Sequence, residues 1–367
     1  MRAFLFPGQG SQHVGMGDGL FDRFGDLTET ADDILGYSIK TLCGEDPDNH
    51  LEQTQYTQPA LFVVNAMTAR AKREDEGLSP DYLAGHSVGE YNALEFAGVF
   101  DFADGLRLVQ KRGALMATAP KGTMAAVMGL PVEDIRQLLI ARGLDTLDIA
   151  NLNSDKQTIL SGLVEDIEKA RDVFSDAGAM YVPLNVSGAF HSRYMAGVQD
   201  AFAKFLSEFQ FAKPTIPVIA NVDAQPYGDD VVAILSQQLT SSVLWRDSVT
   251  FMLDAGVREF VETGPGTVLD RLCRGIQADH DVAPRSSEPA VPNTPEDAVA
   301  SWNATNPVGT SVRATGHEGH LKTRTQAMIL FGHRAAIYLD GFNGYFTLWK
   351  TIQRRASLQC QTRRNSR

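Results

Sequence analysis

Ser87 stands in the pentapeptide GHSVG, residues 85–89, where a short apolar run gives way to a helical pattern. Flanking glycines let the backbone turn sharply, and G-x-S-x-G at a strand-to-helix turn holds a hydroxyl clear of a sheet as a nucleophile. The helix that follows points its N-terminus at the same spot, so the N–H of Val88 is placed to hold a developing oxyanion. An ordinary glycine turn containing a serine is the alternative, and the pentapeptide alone does not decide. A serine nucleophile needs a base. Of the eight histidines, His191 is the candidate. It follows the strand-like YVPLNVS and precedes a helix that Ser192 could cap. The alternative there is a helix-start histidine with no chemistry. His86 adjoins Ser87, but the chain reverses between them, which gives His86 a structural part in steadying the turn. His317 and His320, in GHEGH, lack both the H-E-x-x-H spacing and a third ligand, so no metal is expected.

Arg112 raises a separate question. In FADGLRLVQKRGALM, helical spacing puts Leu108, Arg112 and Leu115 on one stripe, and no acid lies three or four residues away. An arginine so placed finds a carboxylate elsewhere, offers its fork to a ligand, or snorkels to solvent.

The elements that must position these residues alternate between strand and helix. RAFLF is a strand ending at Pro7-Gly8, PALFVVNAMTARAKRED a helix, DYLAG a buried strand and VGEYNALEFAGVF the helix after it. Residues 123–187 change pattern. TMAAVMGL, LDIANLN, QTILSG and MYVPLNVS read as strands, with helices at PVEDIRQLLIARG and VEDIEKARDVFSDAGA. That βαββαβ order is the ferredoxin-like arrangement. The fold expected is α/β: an α/β-hydrolase-like large subdomain over 1–122 and 188–282, with a ferredoxin-like small subdomain inserted at 123–187. TIPVIANVDA is expected as a strand of the large part, and SVTFMLDAGVREFVETGPG as its closing helix and strand.

Composition bounds the function. A net charge of −12 disfavours nucleic acid, and no apolar run reaches a membrane span. The start, MRAFLFPGQG, meets proline and glycine too early for a signal peptide. Three cysteines, Cys43, Cys273 and Cys360, are odd in number and far apart, which points to a reducing cytoplasm. From residue 283 onward, 11 Lys/Arg against 5 Asp/Glu give a charge of +6, so the first 282 residues carry −18. A Pro/Ser/Thr/Asn-rich stretch falls at the same place, and 283–367 is expected as linker and tail.

Taken together, the chain resembles the malonyl-CoA:acyl carrier protein transacylases and the acyltransferase domains of polyketide synthases. The matching stretches are FPGQGSQ (6–12), TQPAL (57–61), GHSVGEYNAL (85–94), QKRGALM (110–116), GAFHSRYM (188–195), QLTSSVLW (238–245) and ETGPGTVL (262–269). They run in the family's order and cover residues 1 to about 276. The resemblance implies that Ser87 is acylated, His191 is its base, and Gln9 supplies a second N–H to the oxyanion hole beside Val88. It implies that Arg112 grips the free carboxylate of the acyl group, and that a main-chain carbonyl at Gln238 orients His191. His86, Phe190 and Asn153 fall at the acyl pocket. A phenylalanine at the position of Phe190 goes with malonyl in polyketide relatives, and a serine with methylmalonyl. The implied reaction is ping-pong malonyl transfer from CoA to the phosphopantetheine thiol of an acyl carrier protein. No cofactor beyond the malonyl-CoA substrate is implied, and a monomeric, discrete enzyme is expected, with GAFHSRYM leaning to the polyketide type. The rival is a hydrolase that clears acyl groups from carrier proteins; such relatives tend to lack the arginine.

Overall fold

A computed structural model describes residues 1–282, 294–312, 321–330, 334–340 and 345–348. The chain divides into two units, Met1–Ala283 and Pro284–Arg367.

Strand β1 (Arg2–Phe6) lies inside the main sheet of the first unit. It pairs in parallel with β2 (Tyr82–Gly85) on one side and with β8 (Glu259–Glu262) on the other, and β2 pairs in parallel with β7 (Val218–Ile219). The order is β7-β2-β1-β8. Ala3, Phe4, Leu5 and Phe6 are all fully buried, as an unbroken apolar run in a parallel strand covered on both faces requires. Helices Thr54–Glu76, Gly89–Phe96 and Phe102–Met116 supply apolar residues on one side of this sheet, among them Phe62, Tyr91 and Leu108. Trp245, Val249 and Met252 of helix Trp245–Asp254 pack with Ala3, Leu5 and Ala84 on the other.

Between these elements the chain builds a second sheet from β3 (Thr123–Met128), β4 (Asp148–Ser154), β5 (Gln157–Gly162) and β6 (Met180–Pro183). All pairs are antiparallel, in the order β4-β5-β3-β6. Strand alternation sorts its residues. Val127 and Leu160 pack with Ile135 and Phe174 of helices Val132–Ala141 and Val164–Asp176. Met124, Ala126 and Ile159 instead join the large apolar cluster of the main body. The main chain of Val243 extends the β4 edge, giving its N–H to Ala150 (2.8 Å) and taking the N–H of Leu152 (2.9 Å). That pairing fixes the polar residues of β4 against the main body.

The α/β class holds, with two departures. TIPVIANVDA keeps only Val218–Ile219 as strand. The chain then turns, with Ala224 N–H on Ala220 O and a positive φ at Ala224, and the side chain of Asn221 is used elsewhere. Helices Leu20–Arg23, Gly25–Leu35 and Ile39–Gly44 carry no sequence expectation at all.

In the second unit, helix Pro295–Thr305 is capped by the Thr294 hydroxyl, which accepts from Asp297 N–H at 3.1 Å. Its strands form antiparallel pairs: β9 (Ser311–Val312) with β10 (Leu321–Lys322), and β11 (Met328–Leu330), β12 (Arg334–Tyr338) and β13 (Tyr345–Thr347) in that order. Ala298, Trp302, Ile337 and Leu339 make its apolar cluster. GHEGH and Cys360 lie outside the described residues.

Candidate active site

Ser87 sits between β2 and helix Gly89–Phe96 with φ at +54°, a left-handed conformation that costs a non-glycine residue energy and needs support. Two observations explain how the turn is held. The first is close packing. A Cβ on Gly85 would lie 2.0 Å from the main chain of Gly89, and one on Gly89 would lie 2.1 Å from Phe6 O. Only glycines let the turn fold back on itself and onto β1. The second is Asn221, which accepts the Ser87 N–H (2.8 Å) through Oδ1 and donates to Gly85 O (2.7 Å) through Nδ2.

His191 also has a positive φ, +56°, and is buried. Its Nε2 lies 2.7 Å from Ser87 Oγ, and its Nδ1 lies 2.9 Å from the main-chain oxygen of Gln238. A carbonyl accepts and never donates, so it fixes the tautomer with hydrogen on Nδ1 and leaves the Nε2 lone pair facing the serine hydroxyl. Among the described residues no acid completes a triad; a main-chain carbonyl stands in that place. Burial, and then the nearby charge of Arg112, push the His191 pKa down to about 3.

Arg112 does not snorkel; it is 1% exposed. Its Nη1 donates to Gln58 Oε1 (2.7 Å), and its Nη2 donates to Gln238 Oε1 (2.9 Å) and Ser87 Oγ (3.1 Å). The guanidinium also lies over the Tyr91 ring, 5.6 Å from its centroid. Among the described residues no carboxylate forms an ion pair with it, so its neighbours are neutral oxygens and a ring face. A buried cation held by uncharged acceptors is under-neutralised, and an anionic ligand would complete it.

Around these three groups lies a cavity of about 270 Å³. Gln9, Val88, His86, Asn153 and Phe190 line it with them. Among the described residues, the main-chain N–H groups of Gln9 and Val88 have no acceptor, while those of Ser87, Gly89 and Glu90 do. The Gln9 side chain turns toward Thr54 Oγ1 at 3.3 Å. The His86 ring faces the cavity, 2.9 Å from Asn153 Oδ1 and tilted against Trp245, while its carbonyl accepts the Gly89 N–H at 3.0 Å. The residues that the resemblance places at the site border one cavity or, as with Gln238, contact a residue that does.

Sequence reasoning missed Gln58, Asn221, Glu90 and the side chain of Gln238. Gln58 and Glu90 fall inside quoted stretches, TQPAL and GHSVGEYNAL, where position carried no hint of partner. Asn221 fell in a stretch read as plain strand, where its polarity was the only available signal.

The acyl transferase domain family matches residues 3–308, running past residue 276, where the quoted stretches were read as ending. The polyketide biosynthesis malonyl CoA-acyl carrier protein transacylase BaeC of Bacillus velezensis is 53% identical over 287 residues, covering 77% of this chain and 99% of BaeC. The crystal structure of a malonyl CoA-acyl carrier protein transacylase from Burkholderia pseudomallei is similar at a TM-score of 0.74 and 48% identity, over 79% of this chain and 99% of that one. A malonyl-transacylase, PlMCAT, in complex with its type II PKS acyl-carrier protein is similar at a TM-score of 0.71 and 36% identity, over 75% of this chain and 92% of that one.

Proposed function

The chain belongs to the acyl transferase domain family, and from that premise we propose that it moves a malonyl group from CoA to the phosphopantetheine thiol of an acyl carrier protein. One observation carries the reading. A nucleophile–base pair shares its oxygen with a buried guanidinium that has no acid partner, Ser87 Oγ being 2.7 Å from His191 Nε2 and 3.1 Å from Arg112 Nη2. Such a site selects acyl groups that carry a second, unreacting carboxylate.

The steps follow from the geometry. The malonyl carboxylate meets the Arg112 fork in a two-toothed contact, beside the glutamine oxygens that hold the guanidinium in place. This also neutralises the field that depresses His191, so the base strengthens when the right substrate is seated. Ser87 Oγ attacks the thioester carbon as its proton passes to His191 Nε2. The oxyanion rests on the N–H groups of Val88 and Gln9. The C–S bond breaks, the CoA sulfur takes the proton from His191, and malonyl-Ser87 remains. The carrier thiol then gives its proton to His191 and attacks the ester carbon. The C–O bond breaks, and Ser87 Oγ recovers the proton. Gln238 O keeps the His191 Nδ1 hydrogen in place throughout, so that only Nε2 takes and gives up the proton. His86, Asn153 and Phe190 shape the acyl pocket, and the Phe190 ring leaves little room for an α-methyl group.

The reading takes 1–122 and 188–282 as the large subdomain, 123–187 as the small one, and 283–367 as outside the catalytic machinery. It takes the enzyme as a monomer, and as cytoplasmic, in keeping with the free thiols of Cys43 and Cys273. No helix among the described residues is long and apolar enough to cross a membrane. The carrier is of the polyketide kind, in keeping with the relative in Bacillus velezensis. Hydrolysis is the weaker reading because Arg112 has no use in it.

Intact-mass measurement tests the proposal. With malonyl-CoA the protein gains one malonyl group at Ser87, and a phosphopantetheinylated carrier then removes it and gains the same mass. Loss of the adduct to water at equal rate with and without carrier would favour the hydrolase.

A further inference from the structure

The mechanism leaves a fully buried acid beside the site unused. Glu90, in the first turn of the helix after Ser87, is 0% exposed and makes no ion pair among the described residues. Three donors converge on it instead. The Tyr227 hydroxyl donates to Oε1, and Asn221 N–H (3.0 Å) and Gln238 Nε2 (2.8 Å) donate to Oε2. Two of those neighbours touch the reacting groups. Asn221 holds the Ser87 N–H. The Gln238 amide gives a second hydrogen to Ser87 O (3.1 Å) and receives Arg112 on its oxygen (2.9 Å), while its main-chain oxygen orients His191.

A glutamine amide can sit either way round in a cavity of its shape, and only its partners choose. Here the partners are Arg112, which has only hydrogens to offer, and Glu90 and Ser87 O, which accept, Glu90 at the shorter distance and as the charged acceptor. Remove Glu90 and the NH2 group keeps only the longer contact to Ser87 O, so the amide is freer to rotate by half a turn. Its NH2 group then faces the guanidinium, and Arg112 loses the acceptor that draws Nη2 toward Ser87. We propose that Glu90 is a positioning residue for malonyl transfer: it fixes which end of the Gln238 amide faces Arg112 and thereby holds the guanidinium where the acyl carboxylate must land. This rests on the reading of Arg112 as the carboxylate clamp, and it adds a part that no residue of the reaction sequence supplies. Burial raises the Glu90 pKa to about 7, so its neutral form is within reach. A neutral carboxyl still accepts at Oε2 and turns its hydrogen to Tyr227, whose hydroxyl oxygen can accept it.

That last point makes glutamine the informative replacement. Glu90→Gln keeps a carbonyl oxygen for Asn221 and Gln238 and turns its NH2 to the Tyr227 oxygen. Glu90→Ala keeps nothing. The test is kcat/KM for malonyl-CoA and for acetyl-CoA, taken as a ratio, in the full chain. Loss of folded protein lowers both substrates alike and leaves the ratio unmoved. Loss of guanidinium placement lowers malonyl alone. The expected result is a fall in the malonyl-to-acetyl ratio of roughly tenfold for Glu90→Ala, on the scale of one hydrogen bond to a charged group, and a near-native ratio for Glu90→Gln. Gln238→Met keeps the main-chain carbonyl and removes the amide; it reproduces the Glu90→Ala ratio and stands in if Glu90→Ala fails to fold. A native ratio in Glu90→Ala or in Gln238→Met overturns the proposal. Arg112→Ala is measured beside them. If its own ratio is unchanged, the clamp reading fails and Glu90 falls with it. If its ratio collapses while Gln238→Met keeps the native one, Glu90 alone is wrong.

Discussion

At the scale of residues, the site places one oxygen, Ser87 Oγ, between an imidazole and a guanidinium. Arg112 is placed to stabilise negative charge that grows on Ser87 Oγ, while burial first, and the same guanidinium charge second, make His191 a poorer proton acceptor. The pH dependence follows with a definite sign. A histidine whose folded pKa is about 3 stays neutral, and so remains a base, well below the ordinary value of 6.5. The expected kcat/KM for malonyl-CoA is therefore flat from pH 7.5 through 6, with no acid limb centred near 6.5. A midpoint at 6.5 would show an ordinary, solvated imidazole. Stability moves the same way. Between about 6.5 and 3 the unfolded chain takes up a proton that folded His191 refuses, so stability falls as pH drops through that window. Ser87, His191 and Arg112 were legible because each has a local signature: a glycine-flanked hydroxyl, a strand-end imidazole, a cation on an apolar stripe. Gln58, Asn221 and Glu90 were not, because each matters through a partner 54, 134 or 148 residues away. Gln238 was legible only in part: the resemblance gave its carbonyl, while the role of its amide depends on Glu90, which no local pattern ties to it.

At the scale of elements, the nucleophile turn is a contact between β1, β2 and helix Gly89–Phe96 with no room for a side chain. Gly89→Ala would force a methyl group to within 2.1 Å of Phe6 O, in a place where both neighbours are main chain and cannot swing aside. The expected cost is about 1–3 kcal/mol of stability, as for other overpacked sites. It comes with loss of Ser87 acylation, because the helix N-terminus that presents the Val88 N–H has moved. Thermal unfolding and intact mass measure the two effects, and a variant with native melting and native acylation would contradict the packing argument. The β2–turn–helix unit was readable from the sequence because its signals are local. TIPVIANVDA was read too long because periodicity cannot show that Asn221 must leave the sheet to hold the turn. Helices Leu20–Arg23 and Ile39–Gly44 went unread for a related reason: they span only four and six residues, too few to display a helical period.

At the scale of the whole molecule, the residues of the site come from Gln9 to Gln238 in sequence, and all lie within the Met1–Ala283 unit. The relative in Bacillus velezensis aligns over 287 residues, about the length of that unit. A chain ending at Ala283 is expected to keep malonyl transfer within about twofold, since a unit with its own core can fold alone. A folded but inactive truncation would show that the remaining residues take part. The composition break near 283 was visible as a change in charge and in proline and serine content; the short strands beyond it were not, each being two to five residues long. What the molecule does with its substrate comes down to charge selection, and one comparison measures it. Acylation rates with malonyl-CoA and acetyl-CoA are followed by mass in the native protein and in Arg112→Ala. The account predicts that malonyl loading collapses while acetyl loading holds or rises. Equal loss on both substrates would contradict it.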